Sequence, residues 1–139
     1  MILNRQIVLK AIVTPRLKEE LIAEVREAMD RVNETQDQLE MQSRRVMLEL
    51  QRTDLNRAMA FRQQIDAEQR KHKELKDDLD ERLKEYEGLE MGSEFVRGLL
   101  EGQVDLKEGD NLKEKLGQAE IVTEDDIIRE IRDPAPTAR

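Results

Sequence analysis

The reading of this chain turns on two stretches, LKEELIAEVREAMDRVNETQDQLEMQSRRV (17–46) and AMAFRQQIDAEQRKHKELKDDLDERLKEY (58–86). From Pro15 to Glu87 there is no Gly and no further Pro, and apolar residues return at steps of three and four, which predicts helix throughout. The first stretch carries one narrow stripe: Leu17, Leu21, Val25, Ala28, Val32, Thr35, Leu39, Gln42 and Val46. The second carries another: Ala58, Phe61, Ile65, Glu68, His72, Leu75, Leu79, Leu83 and Tyr86. A narrow apolar stripe on a charged helix needs a partner helix. If the second stretch folds back on the first, the position numbers of facing residues must total a constant. Leu17 with Tyr86 totals 103, while Leu21 with Leu83, Val25 with Leu79, Leu39 with Ile65 and Val46 with Ala58 each total 104. That constant centres a turn near Arg52, beside Thr53, Asp54 and Asn56, residue types that favour caps and turns over helix interiors. The expectation is an antiparallel coiled-coil hairpin over 15–88 with its turn near 51–54, each arm about 35 residues and about 50 Å long. The rival is a single helix of about 110 Å paired with another chain.

Outward from the hairpin the pattern changes on both sides. Residues 1–14 contain the run Ile7-Val8-Leu9-Lys10-Ala11-Ile12-Val13, apolar on both faces apart from Lys10, which reads as a covered strand. Thr14 is a preferred N-cap and Pro15 a preferred first helical residue, so the helix starts there. After Gly88, strands are expected at 94–101 with a bulge at Gly98, at 103–106, at 119–123 and at 127–132. A short helix is expected at 112–116 and a tight turn at Glu124-Asp125-Asp126. The first strand and the last four would form a small β body from 1–14 and 89–132, a five-stranded barrel or curled sheet into which the hairpin is inserted. Its expected interior is Ile7, Leu9, Ile12, Val13, Phe95, Val96, Leu99, Val104, Leu106, Leu112, Leu116, Ile121, Val122, Ile127 and Ile131. Residues 133–139 read as a disordered tail. The class is therefore α+β.

Composition narrows the function. Of 139 residues 40% are charged, 37% hydrophobic and only 2% aromatic, with a net charge of -8, so a conventional enzyme core lacks its usual large side chains. With no Cys and a single His, thiolate chemistry, disulfides and multi-His metal sites are excluded. No stretch approaches the apolar length of a membrane span, and the N-terminal run lacks a cleavage site, so a cytoplasmic protein is expected.

The segments KAIVTPRLKEELIAEV (10–25), LEMGSEFVRG (89–98), VDLKEGDNL (104–112) and AEIVTEDDIIREIR (119–132) resemble the YlqD family of small bacterial proteins. The resemblance covers the β body and the hairpin base, and its order of strand, charged hairpin, GSEFVRG and KEGDNL is unusual. It implies no activity and no catalytic residue. Some members are encoded beside ribosome-assembly and tRNA-modification factors, which points weakly towards RNA.

The candidate sites are few. His72 falls in the helix seam opposite Val32, without an identifiable Ser, Cys or acid partner, and reads as structural. The acidic turn at 124–126 and the Gly109-Asp110-Asn111 loop read as a solvated turn and a connector. The hairpin tip is more informative. Residues 44–62 hold five bases, Arg44, Arg45, Arg52, Arg57 and Arg62, for a net charge of +3, while the rest of the hairpin totals -7. Met41, Met47, Met59 and Phe61 add adaptable apolar groups. The expectation is a non-catalytic binding or adaptor protein, with no metal and no cofactor, that presents this tip to a protein partner. Alternatives are an RNA- or ribosome-associated assembly factor using the arginines on phosphates, and a prefoldin-like holdase. Self-association stays open.

Overall fold

The computed structural model describes residues 1–134 and divides into two compact units, one from Met1–Lys18 with the segment beginning at Leu89, the other Glu19–Gly88.

In the first unit, strand β1 (Ile2–Ile12) lies at the centre of a four-stranded mixed sheet. Strand β2 (Glu94–Asp105) pairs antiparallel on one side of it, and β3 (Ala119–Glu124) pairs parallel on the other. Strand β4 (Ile127–Arg132) pairs antiparallel with β3 and forms an edge. A strand that is apolar on both faces belongs in the middle of a sheet, and this is where β1 sits. Its exit is capped as expected: the Thr14 hydroxyl accepts from the Leu17 amide at 3.2 Å, and the same hydroxyl donates to Asp125 at 2.7 Å.

The sheet is open and has four strands, so the expected five-stranded barrel does not form. The miscount comes from Gly102, which the sequence offers as a break between two strands. Residues 94–105 instead make one continuous strand in which Gly102 pairs with Arg5. A Cβ at Gly102 would lie 2.6 Å from Ile7 Cδ1, so the glycine makes room for that side chain. The bulge falls one residue earlier than expected, with Arg97 unpaired between Val96 and Gly98. The expected interior also shrinks. Val8, Ala11, Val13, Leu17, Val104, Ala119 and Val122 are buried, but Val96, Leu99, Leu112, Leu116, Ile127 and Ile131 are exposed. An open sheet has edges and two faces, and the same apolar inventory cannot cover all of them.

The strand β1 to β3 face carrying Lys10 is laced by charge. Lys10 Nζ lies 2.9 Å from Glu120 and 3.6 Å from Glu94, and Arg132 bonds Glu94, Glu120 and Glu130. The Arg132 guanidinium holds the Glu94 carboxyl below the usual carboxylate range, and Lys10 followed by Arg132 does the same to Glu120. A carboxyl lowered in the folded state contributes stability above its unfolded value and loses it as the pH falls through its folded one. The sheet should therefore resist denaturant equally well at neutral pH and at pH 5, and weaken progressively below the ordinary glutamate value of 4.5. Glu120→Gln should flatten that acid limb; an unchanged limb would remove this network from the cause.

The remaining links are local. Helix α3 (Leu112–Lys115) is capped by Asn111, whose side chain accepts from the Glu114 amide at 3.3 Å. The turn between β3 and β4 places Asp125 at φ 48° and Asp126 at φ 69°, the left-handed pair that a two-residue hairpin requires and that Asp tolerates. The expected tail at 133–139 falls largely outside the described residues, but Asp133 is not free: Arg5 grips both its oxygens, at 3.0 and 2.8 Å.

The second unit is a helical hairpin. Helix α1 (Pro15–Thr53) and helix α2 (Leu55–Glu87) are broken at Asp54, so the single unbroken helix does not occur. Asp54 lies at the far edge of the expected window, extended at φ -157°, and its carboxylate caps α2 by accepting from the Arg57 amide at 3.2 Å. The two stripes do face each other. Val32 and Thr35 on one arm and His72, Leu75 and Leu79 on the other line a common cavity of about 310 Å³, and Lys76 Nζ donates to Gln36 at 2.6 Å across the seam. Leu21, Val25 and Leu79 are buried towards the hairpin base.

That cavity marks where polar residues interrupt the stripe. Thr35 turns its hydroxyl back to the Arg31 carbonyl of its own helix, and His72 Nδ1 is buried with no partner among the described residues. His72→Leu should therefore stabilise the hairpin by about 1 kcal/mol, by replacing an unsatisfied polar atom with an apolar group. Thermal unfolding followed at 222 nm checks this, and a lower midpoint would assign His72 a bond it needs.

Candidate functional site

The hairpin tip is built by the last turns of α1, the Asp54 break and the first turns of α2. Thr53 and Asp54 stop the first helix cleanly: the Asp54 amide still reaches the Leu50 carbonyl at 2.8 Å, while the Asp54 carbonyl already accepts from the Ala58 amide at 3.0 Å. Ala58, small and buried, lies one turn beyond the break. The chain thus reverses over a single non-helical residue, which leaves the flanking side chains no loop to pack under.

The consequence is an unusual display. Met41 and Leu55 are each 69% exposed, and Val46, Leu48 and Met59 are exposed as well. Arg44, Arg45, Arg52, Arg57 and Arg62 are all exposed among them. A cavity of about 420 Å³ beside α1 is lined by Gln38, Met41, Gln42, Arg45 and Val46, so apolar and cationic groups border the same recess. Of the residues expected at the tip, the five arginines and Met59 stand in solvent, whereas Met47 and Phe61 are half-buried. Phe61 lies on the apolar stripe and is drawn towards the partner helix. Leu48 and Leu55 were missed by residue type; their signal is that they are large apolar residues off the stripe, on the outward side of their helices.

The other candidates are occupied by local structure. Asp125 accepts from Thr14, and Asp126 lies 3.8 Å from Arg16, so the acidic turn is tied into its own unit. Asp110 accepts from the Lys107 amide at 2.8 Å and Asn111 caps α3, so this loop spends its polar groups on itself. Among the described residues no group of three or more His, Asp or Glu is arranged to hold a metal ion, and no helix is long and apolar enough to cross a membrane.

Comparison with known proteins places this architecture. No curated protein matches the chain. A crystal structure of a protein of unknown function from Synechococcus sp. WH 8102 superposes with a TM-score of 0.81 at 28% identity, over 96% of this chain and 95% of that one. The profile of the YlqD protein family matches residues 1–132, which takes in the whole sheet and the whole hairpin. The chain belongs to the YlqD family.

Proposed function

We propose that this chain is a non-catalytic, cytoplasmic binding protein that engages a protein partner through the tip of its hairpin, the two arms acting as a coiled-coil spacer. The observation that carries this reading is the clustering of Met41, Val46, Leu48, Leu55 and Met59 in solvent at one end of the hairpin. Large apolar side chains exposed together are costly in water and mark surfaces that a partner covers. The five arginines around them select a partner whose apolar patch is rimmed by carboxylates. In this reading the tip provides the contact and the sheet unit the second half of an adaptor.

The experiment compares two tip variants in quantitative capture from cell extract. Replacing Met41, Leu55 and Met59 by Ser should cost at least about tenfold in binding of the captured protein, because apolar anchors dominate such interfaces. Replacing the five arginines by Gln should slow association and reduce its salt dependence, with a smaller effect on dissociation. The arginines also support a second reading, in which the ligand is RNA. There the order reverses: the Arg-to-Gln variant loses binding, and the slope of log affinity against log salt flattens by roughly 0.7 to 0.9 for each phosphate contact removed. Undiminished capture by a chain lacking residues 41–62 would reject both readings and move the site to the sheet unit.

A further inference from the structure

The free edge of the sheet is complementary to itself. Strand β4 pairs with β3 on one side only, and Ile127, Ile128 and Ile131 are 58%, 57% and 65% exposed. Its register against β3 skips one residue: Val122 pairs with Glu130 and Thr123 with Ile128, which leaves Arg129 as the extra residue of a bulge. Thr123 and Ile121 share a face, so Ile128 and Ile131 project on that same face. Arg129 Nε reaches Glu124 at 3.3 Å, and Glu124 pairs with Ile127 on the opposite face, where Glu130 and Arg132 also lie. The strand therefore reads, from Ile127 to Arg132, one face, the other, then the first twice, the other, and the first again. That sequence of faces is the same read backwards.

We propose that β4 is the seam of a two-fold dimer, pairing antiparallel with β4 of a second copy so that Ile128 meets the partner's Ile131 and Arg129 meets the partner's Glu130. Among registers that pair four or more residues of each strand, only this one puts like faces together. It is also the register that charge selects: a shift of one residue either way sets Arg129 against the partner's Arg129 or Glu130 against the partner's Glu130, and like charges directly opposite are destabilising. In the matched register four isoleucines form one continuous apolar strip, and opposite charges meet on the other face. The remaining edge, β2, does not offer this, since it carries Glu94, Glu101 and Asp105 against Arg97 alone. A six-residue edge is a small interface, so the association belongs to the weak class and should be sought at chain concentrations on the order of 100 μM.

Sedimentation equilibrium of the full chain should show a reversible dimer over that range. Arg129→Glu should weaken it at least about tenfold by opposing two carboxylates across the seam, and adding Glu130→Arg should restore it by recreating the pair with its signs exchanged. Because the chain has no Cys, a second measurement is independent of those charges. I128C/I131C places two thiols directly opposite two others at antiparallel spacing, within disulfide reach, and should form a covalent dimer under mild oxidation. I128C or I131C alone sets each thiol about 10 Å from its own counterpart and should stay uncrosslinked. A chain that is monomeric throughout, a dimer indifferent to Arg129→Glu or not restored by the exchange, or single variants that cross-link as fast as the double one would each overturn the assignment.

Discussion

A chain lacking residues 1–13 should lose the sheet outright while keeping its helical circular dichroism. Among the described residues β1 alone joins β2 to β3: it bonds β2 along its whole length and β3 from Ile7 to Ala11. Without it β2 has no neighbour, and β3 with β4 becomes an isolated hairpin, which is marginal at best in water. The deletion also removes Val8, Ala11 and Val13 from a core of seven buried side chains in that unit. At about 1.5 to 3 kcal/mol for each large buried side chain, and with both ladders gone, the loss exceeds the roughly 5 to 15 kcal/mol that keep a domain folded. Val8→Asp, which buries a carboxylate in the same strand, should give the same result in the full-length chain. Limited proteolysis reads both variants: cleavage should appear throughout 94–132. Protection of β2 to β4 in either one would mean that the sheet has a second organising strand.

That expectation is legible in outline in the sequence, because a run with apolar residues at every successive position but one has no solvent face to spare. What the run could not disclose is which strands flank it. Parallel pairing with β3 and antiparallel pairing with β2 leave no mark on β1 itself, and the count of strands depended on a glycine. Gly102 interrupts the strand pattern and so looks like punctuation, yet the space of its missing Cβ is filled by Ile7 from the neighbouring strand. The information lay in a residue almost a hundred positions away. The hairpin was legible for the opposite reason. Helical periodicity repeats within a turn, and the cap at Asp54 is a contact three residues long, so both are written locally.

The tip was half legible. The register and the turn residues located it, and the five arginines, all of them exposed, gave its charge. Apolar type did not decide which side chains are displayed: Phe61 falls on the stripe and turns inward, whereas Leu48 and Leu55 fall off it and stand out. Helical phase separates these three, but Val46 lies on the stripe and is still exposed, while Met47 lies off it and is half-buried. The exposed isoleucines of β4 needed more than phase, since the bulge at Arg129 changes the alternation and only the register against β3 shows where it lies.

The residue least expected to matter is Asp133, which opens a segment of Pro, Ala and Thr that reads as tail. It receives two parallel hydrogen bonds from Arg5, the bidentate geometry in which a guanidinium and a carboxylate bind most strongly. The side chains are only 13% and 20% exposed, so solvent screens the pair little. Arg5 sits in the central strand opposite Gly102, on a face where its Nε is buried without a partner among the described residues. Removing the carboxylate would leave a largely buried cation with nothing to offset its desolvation, which is the costly way to break such a pair. Asp133→Ala should therefore destabilise the sheet by about 2 kcal/mol, below the cost of a fully buried pair because some water still reaches this one. Asp133→Asn should cost less than Ala, since its amide oxygen still accepts one bond. Arg5→Met with Asp133→Ala should recover most of the loss, because an apolar side chain of similar length needs no counter-ion. Urea unfolding at pH 7 of the parent and these three variants, with Arg5→Met alone added to close the double-mutant cycle, measures the coupling. Equal stability of Asp133→Ala and the parent would return this residue to the tail.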